Sequence, residues 1–473
     1  MAQPSIGLPS VMVSFRTAAG SAITRSSRGK VALILNDENY KDSDGVVSFD
    51  ISEASDIPAT GISEKNVDLI KKTLIGAPSQ IFAFLIPPAT YEEEQEVTTE
   101  ETVSTTTMIT SDVTITTDTV VQSEVTITDP ETGETSTVTS DVTVETETTV
   151  QSDVEIETTT VITGTTISSV TVTATVTVAD ALKEVANIRA NYVAYPTGGA
   201  DGQESLASFV NGQRKNRHKT IKAVVANCAA DSYGVINFTT GNIKVANPDY
   251  TSALEAVDGD AELVDENIPK YKTYTAAEYT GRIAGIAAGI ALDRSLTYYT
   301  LSEVVSCGKY ADADAAVNNG ELILIDEKDG LGVKIGRGVN SLINFSSEVG
   351  ESFRYIKIVE ALDLIQDDIT ISFKENYLGK VPNNYTNRML FVSAVNTYLG
   401  NLKGPILDNA PSALNEVHID LAATKDWATR HGIDASGMSD AQIEEISCGT
   451  NVFLSGNITP VNAMEDLRVD FVL

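Results

Sequence analysis

Glu321–Leu342, ELILIDEKDGLGVKIGRGVNSL, is the stretch on which the fold turns. Leu322-Ile323-Leu324-Ile325 is an apolar run too short for a buried helix, Asp326–Gly330 carries turn residues, and Val333-Lys334-Ile335 alternates. That is the pattern of a β-hairpin with one apolar face. Behind it, in Ser352–Phe373, the residues Phe353, Ile356, Val359, Leu362, Ile365 and Ile369 recur three or four apart. This is the stripe of an amphipathic helix. A hairpin with a long one-faced helix makes the nucleus of an α+β domain.

Upstream the pattern is different. Gly29–Asp37 (GKVALILND) and Ile81–Ile86 are continuous apolar runs, typical of strands buried on both faces. Between them Ser63–Ile75 reads as a helix capped by Ser63 and ended by Gly76-Ala77-Pro78. Strand, helix, strand predicts a parallel sheet. The same alternation returns later, with helices over Ala179–Asn191 and Gln203–Asn216 and strands over Tyr192–Tyr195 and Ile221–Ala226.

The interruption lies between Pro87-Pro88 and Ala179. Residues 91–178 hold 31 Thr, 18 Asp or Glu and no Lys or Arg, so over half of the net charge of −33 sits in under a fifth of the length. Thr110–Ile127 (TSDVTITTDTVVQSEVTI) repeats as Thr139–Ile156 (TSDVTVETETTVQSDVEI) at a spacing of 29, with turn residues at Asp129–Gly133 between the copies. An acidic low-complexity linker is one reading. Dominant β-branched residues in period-two alternation, with little Pro or Gly, favour strands instead.

Further on, Thr275–Ala291 reads as a helix. Its Gly281, Gly285 and Gly289 recur every four residues, which predicts close packing against another element. Helices are expected over Asn384–Leu402, Ala422–His431 and Ser439–Ile446, and strands over Val452–Ile458 and Leu467–Leu473. Val11–Phe15 also reads as a strand, within an arm over residues 1–27. Neither terminal strand has an evident partner in its own chain, and a lone strand leaves half its backbone groups unpaired.

The expected fold class is therefore α/β and α+β, multidomain. A discontinuous parallel-sheet α/β domain covers 28–90 and 179–268, with a surface-exposed β-rich insertion at 91–178. A C-terminal α+β core domain covers 269–459, and extended arms occupy 1–27 and 460–473.

Composition excludes several function classes. A net charge of −33 argues against nucleic acid as the main partner. No apolar run is long enough to span a membrane, and Met1–Ser14 lacks the features of a secretory signal. Cys228, Cys307 and Cys448 are odd in number and far apart, fitting neither a disulfide framework nor a metal site. A reducing cytoplasm is the expected compartment of synthesis.

Sites of chemistry are scarce. His218, His418 and His431 lie in unrelated contexts. Gly336-Arg337-Gly338 lacks the third glycine of a dinucleotide loop, since position 341 is Ser. The basic cluster Arg214–Lys219 reads as a helix end, or as a site for an acidic protein partner. Asp367-Asp368 and Glu444-Glu445 read as surface charges. No catalytic, cofactor-binding or metal-ligating residue is expected, and no enzyme.

Several stretches taken in order resemble the tail sheath proteins of contractile bacteriophages, of the Gram-positive phage and phage-like bacteriocin type. They are Ile6–Phe15 (IGLPSVMVSF), Leu69–Ile86 (LIKKTLIGAPSQIFAFLI), Ala181–Pro196 (ALKEVANIRANYVAYP), Asn216–Asn227 (NRHKTIKAVVAN), Tyr274–Val304, Glu321–Leu342, Ile356–Ile369 and Asn462–Leu473 (NAMEDLRVDFVL). The threonine-rich insertion departs from the family core.

The resemblance implies a structural subunit that stacks as six-fold rings around an inner tail tube, with baseplate and tail terminator proteins as further partners. Contraction of that polymer would drive the tube through a bacterial envelope. It implies no cofactor, a place in a virion tail or phage-tail-like particle, and assembly in the host cytoplasm. Val11, Val13 and Phe15, with Leu467, Val469 and Phe471, would be strand residues exchanged between subunits. The rival readings are a secreted or surface β-repeat adhesin, suggested by the insertion, and an α/β enzyme of unknown chemistry.

Overall fold

The computed structural model describes residue 23 and residues 28–109, 115–128, 135–148, 154–257 and 260–472. The expected strand at Val11–Phe15 and the turn at Asp129–Gly133 lie outside the described residues. The chain divides into two compact units, residues 92–172 and the remainder.

In the larger unit the first apolar run forms β1 (Lys30–Asn36). Val31, Leu33 and Leu35 enter one core and Ala32 and Ile34 another, so both faces are buried. β2 (Val47–Ile51), α1 (Glu64–Leu74) and β3 (Gln80–Ile86) follow. β3 pairs parallel with β1 and antiparallel with β2. The β1–α1–β3 crossover is the one the alternation predicts. β2, reading V-S-F-D-I with alternating burial, is an edge strand that sequence reading passed over.

The smaller unit is built from four long strands, β4 (Thr90–Ile109), β5 (Ile115–Thr128), β6 (Thr135–Thr148) and β7 (Val154–Thr173). β4 pairs with β7, and β5 with β6. The β5–β6 ladder is antiparallel in unbroken register from Ile115↔Thr148 to Thr128↔Thr135. The two copies of the repeat thus face one another, because period-two β-branched sequences on both sides favour a continuous ladder over a coil.

The chain then returns to the first sheet through α2 (Val178–Asn187), β8 (Tyr192–Ala194), α3 (Ala200–Arg217), β9 (Lys222–Ala226) and β10 (Val235–Phe238). β11 (Ile243–Ala246), α4 (Pro248–Ala256), β12 (Tyr271–Tyr274), α5 (Ala276–Gly289), β13 (Val304–Ser306) and α6 (Ala313–Asn318) lead on to β14 (Glu321–Leu322). The sheet has seven strands in the order β14-β10-β9-β8-β1-β3-β2. All its pairings are parallel except β2 with β3. The core on one face holds Leu69 and Ile70 of α1 with Tyr279, Ile283 and Ile286 of α5. The core on the other holds Leu182 and Val185 of α2 with Leu206 and Val210 of α3.

The glycine stripe of α5 lies against α1. A Cβ on Gly285 would come within 2.2 Å of the Thr73 carbonyl oxygen, and one on Gly289 within 2.0 Å of that of Gly76. Backbone meets backbone here, so only hydrogen fits.

The hairpin expected over Glu321–Leu342 is narrower than the alternation suggests. Glu321-Leu322 leaves it to become the edge strand β14, parallel to β10. Only β15 (Leu324–Ile325) and β16 (Lys334–Ile335) pair as a hairpin. Leu322, Leu324, Val333 and Ile335 share a core with β1 and α5, so the hairpin closes one end of the sheet.

Beyond it, α7 (Ile356–Asn376) packs on α8 (Tyr385–Leu402) through Ala361, Leu364, Ile365, Phe391, Val395 and Leu399. β17 (Glu416–Ile419) pairs antiparallel with β18 (Leu454–Asn457). Between them α9 (Leu421–Arg430) and α10 (Asp440–Glu445) enclose a small core with Trp427 at its rim. Among the described residues, 467–472 form no strand with their own chain.

Candidate functional site

The densest cluster of charge in the larger unit lies where α7 crosses the amino ends of the parallel strands. Glu360, Asp363 and Asp367 fall three and four apart and so share a face of the helix. Facing them are Arg28, just before β1, Tyr192 and Lys222, the first residues of β8 and β9, and Arg214 from the last turn of α3. Lys222 bridges Glu360 at 2.8 Å and Asp363 at 2.7 Å. Arg214 holds Asp363 with two parallel bonds of 2.7 and 3.0 Å. Arg28 reaches Glu360 at 2.5 Å and lies 3.7 Å from Asp367, which also accepts from Thr220 at 2.8 Å. The Tyr192 hydroxyl donates to Glu360.

Burial alone would push the Glu360 carboxyl up. Lys222 and Arg28, with hydrogen bonds from Lys222 and Tyr192, outweigh it and hold the group at about 2. Burial also acts on Arg214, in the opposite sense, and Asp363 more than offsets it, raising the guanidinium above its ordinary value. The Tyr192 phenol is driven well up by burial and by Glu360 beside it. Every charge in the cluster is engaged by another, and no nucleophile stands beside a base. The arrangement ties the sheet to α7.

This corrects two expectations. Arg214 is more than a solvated helix end: its guanidinium is paired bidentately beneath α7. Asp367 and Asp368 are not surface charges. Asp368 is fully buried and accepts from Tyr398 of α8 at 2.7 Å, while Asp367 turns toward Arg28 and Arg189. They do point in different directions, as adjacent helical positions must.

The second candidate region is the C-terminal segment. After the Val461 N–H to Ile406 carbonyl bond of 2.9 Å, no backbone–backbone hydrogen bond involves 462–472 among the described residues. Leu467 and Phe471 are 89% and 86% exposed, and Val469 is also exposed. Arg468 and Asp470 alternate with them and pair at 3.2 Å. The three apolar strand candidates are thus presented to solvent in period two. Val11, Val13 and Phe15 lie outside the described residues.

The remaining candidates have structural surroundings. His218 caps α3 in the left-handed region at φ 51°, His418 meets Ser455 at 3.1 Å across β17–β18, and His431 stacks on Trp427 at 3.9 Å. The three cysteines are free thiols, each raised by burial. Arg337, from the glycine-flanked loop, pairs with Asp466. Among the described residues there is no group of three or more His, Cys, Asp or Glu that could hold a metal ion, and no helix long and apolar enough to cross a membrane.

Comparison with known proteins bears on this geometry. Residues 348–410, which contain α7 and α8, match the phage tail sheath C-terminal domain. The chain is 34% identical over 297 residues to the tail sheath protein of Clostridium phage phiCD119, a match covering 62% of this chain and 74% of that one. It is 27% identical over 173 residues to the phage-like element PBSX protein XkdK of Bacillus subtilis, covering 36% of this chain and 32% of that protein. Among solved structures, the sheath tail protein of Listeria innocua superposes with a TM-score of 0.52 at 19% identity, over 92% of this chain and 96% of that one. A chain of the six-fold-symmetrised anti-feeding prophage baseplate gives 0.51 at 10% identity, over 100% and 99%. The fold is that of the sheath structures, and the sequence match spans three-quarters of a named relative. The chain belongs to the bacteriophage tail sheath protein family.

Proposed function

We propose that this sheath subunit polymerises as stacked six-fold rings around an inner tail tube and contracts to drive the tube through a bacterial envelope. Baseplate and tail terminator proteins would start and end the polymer, which would be assembled in the host cytoplasm as part of a virion tail or phage-tail-like particle. The observation that carries this reading is the C-terminal segment. Leu467, Val469 and Phe471 stand exposed on a backbone that has no partner among the described residues, next to a core that matches the family. An extended segment of this kind is stabilised by adding to the sheet edge of another copy. Val11, Val13 and Phe15 would do the same from the other end.

Two placements go with this reading. Glu321–Leu342 and Ser352–Phe373 belong to the layer nearest the tube. The insertion at 91–178 projects away from it, because carboxylates without cations are costly to bury between symmetry copies. In the wild-type protein, electron microscopy is expected to reveal rings or sheath-like tubes. Deleting residues 1–27 or 460–473 should leave a folded subunit that does not polymerise. Dispersed wild-type monomers, or normal polymers from either deletion, would refute the assembly.

A further inference from the structure

Within the unpaired C-terminal segment one side chain is inside the protein. Met464 is fully exposed, Leu467 nearly so, and the Asp466 side chain is 80% exposed, yet the Glu465 side chain between them is 7% exposed. Its Oε1 accepts from the Ser295 hydroxyl at 3.0 Å and the Thr297 hydroxyl at 2.7 Å, and its Oε2 lies 3.6 Å from Arg337 Nε. Arg337 also donates to Asp466.

The socket is built for this. Thr297 Oγ1 accepts from the Gly338 N–H at 2.9 Å and lies 3.1 Å from the Ser295 hydroxyl, so its own hydrogen is left to point at the carboxylate; Ser295 Oγ accepts from the Thr297 N–H at 3.1 Å and shares its hydrogen between Thr297 and Glu465. A Cβ on Gly338 would lie 3.2 Å from Leu296 Cβ and 3.3 Å from Ser295 Oγ. Glycine there lets the two loops approach. Gly336-Arg337-Gly338, read in the sequence as a failed dinucleotide motif, forms the wall of this socket.

Burying a carboxylate costs free energy unless it is paired and hydrogen-bonded. A tail held only for stability would bury an apolar side chain at this point. We infer that Glu465 is a positioning residue: it clasps the root of the C-terminal arm and fixes where and in which direction Leu467–Leu473 leaves the subunit toward a second copy. The inference rests on the reading of the arm as an intersubunit strand. The clasp leaves eight residues of sequence beyond it, from 466 on. Without it the last backbone tie is at Val461, twelve residues from the end, and the Arg337–Asp466 pair, with Asp466 80% exposed, is too weak to hold the segment by itself. Effective concentration falls as about the −3/2 power of tether length, so the longer tether alone costs about twofold at the receiving edge, before loss of direction.

The test uses the full chain with Cys228 and Cys307 replaced by Ser and spin labels on Glu64→Cys and Val472→Cys. At concentrations below assembly, distances between the labels are compared for the parent, Glu465→Ala and Glu465→Gln. Glu465→Ala should broaden the distribution while the melting temperature stays the same. Glu465→Gln keeps an acceptor for both hydroxyls and should hold the distribution near that of the parent. In the unlabelled protein, Glu465→Ala should raise the critical concentration for polymerisation at least about twofold, with Glu465→Gln restoring most of it. An unchanged distribution in Glu465→Ala, or a broadened one with an unchanged critical concentration, would overturn the inference. Failure of the wild type to polymerise would count against the sheath assembly and leave the distance measurement to judge the clasp.

Discussion

Glu360 faces Lys222 and Arg28 from a helix whose local sequence hints at neither. Its partners lie 138 and 332 residues away, and the spacing of carboxylates along α7 is equally that of a solvated face. Only the course of the chain makes the pairing legible, which is why Asp367-Asp368 reads as surface charge in the sequence, while in the fold Asp368 is buried and Asp367 half-buried beside arginines. The chemistry has a pH signature. The Glu360 carboxyl sits at about 2 against an ordinary 4.5. Its contribution is fully present above the ordinary value and is lost as the pH falls from about 4.5 toward 2. That shift corresponds to about 3 kcal/mol at neutral pH. Glu360→Gln should therefore lower stability by about 3 kcal/mol at pH 7 and by clearly less at pH 3, as read by urea unfolding at both values. Equal losses at the two pH values would show that packing, not charge, holds the junction.

Glycines distinguish the helices at the scale of elements. In α5, Gly285 has no room for a methyl group because the Thr73 carbonyl occupies its place. In α8, Gly400 is exposed and has nothing within 4 Å of an added Cβ. Gly285→Ala should force α1 and α5 apart and cost about 3 kcal/mol. Gly400→Ala should stabilise by up to about 1 kcal/mol, because alanine is the better helix former where nothing crowds it. Thermal melts of both variants check the pair, and a neutral Gly285→Ala would mean that the helices are free to slide. Helices were the most legible part of the sequence: the spacing and caps of α1, α5, α8, α9 and α10 place their ends within a residue or two. Short strands were less so. β14 is two residues long, and whether Glu321-Leu322 pairs within the hairpin or with β10 depends on strand order across the sheet. Nothing local records that order. α7 was also misjudged as one-faced. Lys357, Glu360, Asp363 and Asp368 are buried alongside its apolar stripe, because junction and bundle contact it on several sides.

For the whole molecule, the division at residues 92–172 sets what is separable. Removing 92–172 and joining the ends with a short linker should leave the larger unit folded, with its melting transition within a few degrees of the parent, and should leave polymerisation intact. Loss of either would make the insertion part of the machine. The charge removed, 18 carboxylates and no cation, should also reduce solubility at low salt. The Ala174 N–H donates to the Ala89 carbonyl at 3.0 Å, so the outgoing and returning chains are already side by side at the root. Any module whose own termini lie that close meets the same geometric demand, whatever its internal architecture. The seam is thus an exchange point: an engineer can graft a foreign domain there without asking the sheet to change.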